Sequence, residues 1–174
     1  AINNSPLDNF SRERFLELYG IKACLKKFRD ITTYSKAYET QAPLLTHIKE
    51  SFGENSAIGY IEIWLYNLND FLNLSRPLNK AQMQETALYI LQDYFYLNIA
   101  EIFLFFSMIK KGEYGNLYEG IDGYKILFFL KQYKRGRLSY IKECNKKVKG
   151  ESLSINDKAS FLWKNLSHMP GLKE

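Results

Sequence analysis

Glu54–Leu74, ENSAIGYIEIWLYNLNDFLNL, decides the fold. Its apolar residues Ile58, Ile61, Leu65, Leu68 and Leu72 recur at steps of three and four. A helix of 3.6 residues per turn gathers such positions on one side, whereas a strand would scatter them over both faces. On its N-terminal side, Pro43 suits the first turn of a helix that stops at Phe52 and Gly53. On its C-terminal side, Pro77 closes the connection, and Asn79 with Gln82 makes a capping box for a helix through Met83, Ala87, Ile90 and Leu91. Asn98 with Glu101 repeats the device, so two helices abut almost without a loop, the second reaching Gly112. Asp122 is the expected cap of a last long helix to about Lys149, with Gly150 as its stop.

The ends of the chain read in the same way. Ser11 caps a short helix to Tyr19 that Gly20 stops, and a second piece runs from Ile21 to about Asp30. The Thr/Tyr/Ser-rich stretch up to Gln41 carries no clear period. Ser154 and Asp157 can start a final short helix with Phe161, Leu162 and Leu166, before Pro170 and Gly171. The expected fold is all-α, a single-domain helical array or bundle of about six to eight helices. Residues 1–41 are expected as an N-terminal helical extension, 42–150 as the core domain, and 151–174 as a short helix and tail.

Composition agrees with a packed core. Of 174 residues 46% are hydrophobic, and 13 Tyr, 12 Phe and 2 Trp supply large apolar surface to offset the entropy of ordering. The longest apolar run, Ile102 to Ile109 with Ser107 inside it, is far short of the roughly 20 residues a membrane span needs. Residues Ala1 to Asp8 lack a basic region followed by an apolar one, so no signal peptide is expected. Cys24 and Cys144 are expected as reduced thiols, since a chain this apolar needs no staple. These features lead us to expect a cytoplasmic protein that does not enter the membrane; oligomeric state leaves no trace in the sequence.

Catalytic signatures are missing. The two histidines, His47 and His168, are far apart and have no companions that would make a metal site. Gly112, Gly115, Gly120 and Gly123 resemble a phosphate loop in spacing, but no Lys-Ser/Thr pair follows and the segment succeeds a helix, so turn chemistry is the better reading. Glu62 and Asp70 share one side of a helix and read as solvated or paired carboxylates. No enzyme, metal or cofactor is expected.

One stretch departs from the average. Tyr124 to Lys149 holds nine basic residues against the single acid Glu143, a net +8, which leaves −3 for the remainder of a +5 chain. At 100° per residue, Lys131, Arg135, Lys142, Lys146 and Lys149 fall within about 60° of one another, away from a face of Ile126, Leu130, Ile141, Cys144 and Val148. Such a stripe can track phosphates, although a solvated helix face looks the same in sequence. Just before it, Lys110, Lys111, Tyr114 and Tyr118 set cations beside rings that could stack on bases. Two residues break the pattern. Gly136 costs on the order of 1 kcal/mol inside a helix, and Arg137 falls on the apolar side, which predicts either a kink or an inward arginine paired with a carboxylate such as Glu62 or Asp70.

The strings YIEIWLYNLNDF (Tyr60–Phe71), LNKAQMQETA (Leu78–Ala87) and KKGEYGNLYEGIDGYKIL (Lys110–Leu127), followed by Tyr133 and Arg137, resemble a family of uncharacterised proteins from gut anaerobic bacteria and their phages and mobile elements. The likeness covers roughly residues 42–141 and leaves out the basic tail beyond Ile141. It implies a bacterial, intracellular protein of mobile-element context. The expected function is a non-enzymatic helical domain that binds nucleic acid, or assists a replication or maintenance complex, through Lys110, Lys111, Tyr114, Tyr118, Lys131, Arg135, Lys142 and Lys146. The alternative is a protein–protein interaction module with no nucleic-acid role.

Overall fold

The computed structural model describes residues 6–117 and 120–166, with side chains described for 6–117 and 120–148. Eight helices occupy the described residues: α1 (Arg12–Tyr19), α2 (Ile21–Lys27), α3 (Tyr34–Glu39), α4 (Leu45–Phe52), α5 (Glu54–Leu72), α6 (Lys80–Tyr94), α7 (Ile99–Lys110) and α8 (Gly123–Leu166). Among them there is no strand, only two isolated bridges, Leu44 with Asn98 and Arg76 with Gly120. The all-α reading holds.

Local chemistry sets most boundaries. Ser11 accepts from the Arg14 amide, and both expected capping boxes form: Asn79 with Gln82 and Asn98 with Glu101. Gly53, at φ 91°, ends α4 in a conformation that costs a side chain dearly, and Asn73 ends α5 in the left-handed region at φ 45°. α2 stops at Lys27, three residues short of expectation, because Phe28 turns its ring into the core at 2% exposure. α3 forms in the stretch without a period: Thr33 caps the Lys36 amide, and Asn98 Nδ2 donates to the Ala37 carbonyl.

α7 is the core. Every residue from Ile99 to Ile109 except Ser107 is buried. Against it lie α3, α2 and the apolar face of α5 (Tyr60, Ile61, Trp64, Leu65, Leu68), with Trp64 stacked on Phe106 at 5.6 Å, and α6 (Ala87, Ile90, Leu91, Tyr94) packs on α5 and adds to the same cluster. Leu7, Phe15, Cys24, Phe28 and Ala37, from the segment read as an N-terminal extension, join the same cluster. Backbone bonds from Leu45 N to Leu97 O and from Ile99 N to Pro43 O fix the start of α4 beside the α6–α7 junction.

The chain divides into two units, Ala1–Arg137 and Leu138–Glu174. The second is built on α8 from Leu138 onward. Here the expected stop at Gly150 fails, and the helix continues to Leu166. A glycine weakens a helix by only about 1 kcal/mol relative to Ala, and the first residue that would forbid continuation is Pro170. The expected cap at Ser154 is therefore helix interior, and the side chains of Phe161, Leu162 and Leu166 lie outside those described. Both cysteines are free, Cys24 buried and Cys144 half-buried. Among the described residues no helix is long and apolar enough to cross a membrane.

Candidate nucleic-acid interface

The first turns of α8 are anchored before any surface is presented. Asp122 Oδ1 accepts from the Lys125 amide at 2.8 Å, and Lys125 Nζ donates back to the Gly120 carbonyl at 3.0 Å. Gly123 has no Cβ because one would collide with the Thr86 hydroxyl on α6. Ile126, Phe129, Leu130 and Tyr133 then fill the inward face. Gly136 is explained in the same manner: a Cβ there would overlap the Tyr34 ring, which lies against Tyr133 at 5.2 Å.

Arg137 turns inward, as its place on the wheel predicts, but its partner is Glu101. Nε donates to Oε1 at 2.5 Å, with the side chains 13% and 1% exposed, while the guanidinium lies over the Tyr38 and Tyr96 rings at 4.8 and 5.0 Å. The expected partners are elsewhere. Asp70 is exposed, and Glu62 lines a groove of about 400 Å³ between α5 and α6 with Gly59, Ile63, Tyr66, Lys80 and Met83. Glu101 escaped notice because its sequence context reads as a cap. It does cap, Oε2 accepting from the Asn98 amide, and its other oxygen remains for Arg137. A carboxylate this buried is costly unless both oxygens are satisfied.

These anchors fix the rotation of α8 and hence its outward residues in the first unit. Tyr124 is 77% and Phe128 47% exposed, and Lys131 and Arg135 are exposed with no ion pair among the described residues. At steps of four, three and four, all four lie within about 60° of one another. The Tyr124 and Phe128 rings are nearly parallel, at 17°, with centroids 6.3 Å apart. The wheel that found Lys131 and Arg135 reaches both rings when continued two turns upstream; sequence reasoning stopped short of them. In the second unit Lys142, Lys146 and Lys147 are exposed, Ile141 and Cys144 half-buried, and the Lys149 side chain lies outside those described.

The other anticipated cluster is arranged differently. Lys110 is half-buried: its ammonium donates to Asn67 Oδ1 at 2.5 Å and sits 5.1 Å from the Phe71 ring, and burial lowers its pKa. Tyr114 stacks flat on Phe129 at 5.0 Å and points its hydroxyl at Met108 Sδ; burial, then the neighbouring Tyr34, raises its pKa. Lys111 is exposed, and Tyr118 lies outside the described residues. The structure thus leaves Lys111, Lys131 and Arg135 open to solvent on the first unit and folds Lys110 and Tyr114 toward its interior.

Residues 77–162 match the model of DUF6633, a family of unknown function. The DUF6633 match takes in α6, α7 and most of α8, so it includes Glu101, Arg137 and the basic tail beyond Ile141 that the sequence likeness left out; YIEIWLYNLNDF precedes it. Comparison with curated proteins and with solved structures finds no match.

Proposed function

We propose that this chain is a non-enzymatic nucleic-acid-binding domain whose contacts come from the exposed cations of α8. The observation that carries the reading is the exposure of Lys131 and Arg135, held outward by a helix whose opposite side is locked by Tyr133 and Arg137. Lys142 and Lys146, exposed on the second unit, add to the same net charge. Phosphate contacts release counterions, so affinity should fall steeply with salt, by about 0.9 in log–log slope per phosphate on a duplex. Fluorescence anisotropy with labelled DNA and RNA over a salt series tests this. Lys131→Glu, Arg135→Glu, Lys142→Glu and Lys146→Glu together should abolish binding and leave the helical circular-dichroism spectrum unchanged. A folded quadruple variant that binds like wild type would refute the site.

A second reading has its own support. Ile63, Tyr66 and Phe71 are 42%, 61% and 60% exposed along α5, a density of apolar surface that suits a protein partner. Binding through that face would respond little to salt, and the α8 reversals would not affect it.

A further inference from the structure

The nucleic-acid reading leaves open whether the bound strand is paired or unpaired, and the outward stripe of α8 bears on that question. A surface that only tracks duplex phosphates needs cations and hydrogen-bond donors. This stripe instead leads with two rings. Tyr124 is the most exposed large hydrophobic residue among those described, and Phe128 has no polar atom with which to justify its exposure to water. They sit one turn apart on a rigid helix, near-parallel, and directly precede Lys131 and Arg135 on the same side. Parallel faces one turn from two cations match the requirements of an unpaired strand, in which bases turn out to stack and the backbone follows positive charge. A paired strand hides its base faces and could use only the cations.

Local charge gives the stripe a direction. Glu85 and Asp122 line one groove of about 430 Å³ with Tyr89, Tyr124 and Leu127, so carboxylates cluster at the Tyr124 end. Glu85 already accepts from the Tyr89 hydroxyl, and Asp122 caps α8, which keeps both in place. Asp122 also lines a second groove with Arg76 and Lys125, so charge at the Tyr124 end is mixed, whereas Lys131 and Arg135 carry exposed positive charge with no ion pair among the described residues. Resting on the nucleic-acid reading above, we infer that the ligand is a single-stranded polynucleotide, with consecutive bases on Tyr124 and Phe128 and the adjoining phosphates on Lys131 and Arg135.

The test uses the full chain with labelled oligothymidylate, oligouridylate and a DNA duplex of equal length. Wild type should bind the single strands about 10-fold or more tighter than the duplex. Tyr124→Leu with Phe128→Leu, which keeps apolar bulk and removes the rings, should weaken single-strand binding by about 10- to 100-fold and change duplex binding less than about 2-fold. Tyr124→Phe with wild-type Phe128 should retain wild-type affinity, and the exposure of both sites means that the variants fold, as circular dichroism will check. Equal affinity for single strand and duplex, unmoved by the leucine variant, would overturn the stacking inference and leave the basic-face reading standing. No binding to any of the three at low salt would overturn both and assign the rings to a protein surface.

Discussion

Lys110–Tyr114 and Tyr124–Arg135 contain the same kinds of side chain, lysines beside aromatic rings, within 26 residues of one another. The structure treats them oppositely. In the first, the turn after α7 carries Tyr114 onto Phe129, while Lys110, in the last turn of α7, settles its ammonium between Asn67 and the Phe71 ring. In the second, helical periodicity and a buried inner face force Tyr124, Phe128, Lys131 and Arg135 outward. Residue type alone does not determine availability to a ligand. A regular helix with one side fixed declares which of its residues are exposed, whereas a glycine-punctuated turn places its side chains according to whatever core lies beneath.

The sharpest way to break this contrast is at Arg137 and Arg135, two residues apart on α8. Arg137→Ala strands the Glu101 carboxylate in the interior and should cost about 3–5 kcal/mol, whereas Arg135→Ala, on the exposed side, should stay within about 0.5 kcal/mol. Urea denaturation of both variants would measure the difference; equal losses would mean the ion pair does not hold α8.

Alkaline titration gives the next effect. Burial pushes the Cys24 thiol up from 9.0 to about 11, and it raises the Tyr60 and Tyr133 hydroxyls as well. Below pH 9 the folded and unfolded thiols are both protonated and the group contributes nothing to the balance. Between 9 and about 11 the unfolded thiol ionises while the folded one keeps its proton, so stability falls as pH rises, by roughly 2–3 kcal/mol from Cys24. Cys24→Ala should flatten the first part of that fall in a series of denaturation midpoints, and an unchanged slope would show that the thiol is not the source.

The two tyrosines at the heart of the comparison come next. Tyr114→Ala should lose about 2 kcal/mol by removing a half-buried ring from Phe129, whereas Tyr124→Ala should be close to neutral in thermal melts. The smallest effect has the opposite sign. The Tyr133 hydroxyl is buried with no hydrogen-bond partner among the described residues, so Tyr133→Phe should stabilise by about 1 kcal/mol. Tyr60→Phe, which loses a bond to the Tyr19 carbonyl at 2.7 Å, should destabilise.

How much of this could be read from the chain alone follows from the range of each interaction. Ser11, Asn79 with Gln82, Asn98 with Glu101, and Asp122 were legible because a cap acts over three residues. α3 was not: Thr33 caps it locally, but six residues are too few to show a period, and its Ala37 carbonyl bonds to Asn98, 61 positions away. Gly136 looked like a flaw in a helix until the Tyr34 ring supplied its reason. That Arg137 turns inward was visible on a wheel; that Glu101 receives it was not, because a capping role hid the second oxygen. The exposed rings at Tyr124 and Phe128 were within reach of the period that found Lys131, had the basic stripe been read with its aromatic neighbours.

Glu101 also makes α7 and α8 depend on each other. The carboxylate lies on α7, and its counterion Arg137 lies 36 residues later on α8. With α8 absent, closing the core around α7 would seal in an unbalanced charge. A chain cut before Arg137 should therefore be less stable than the whole one.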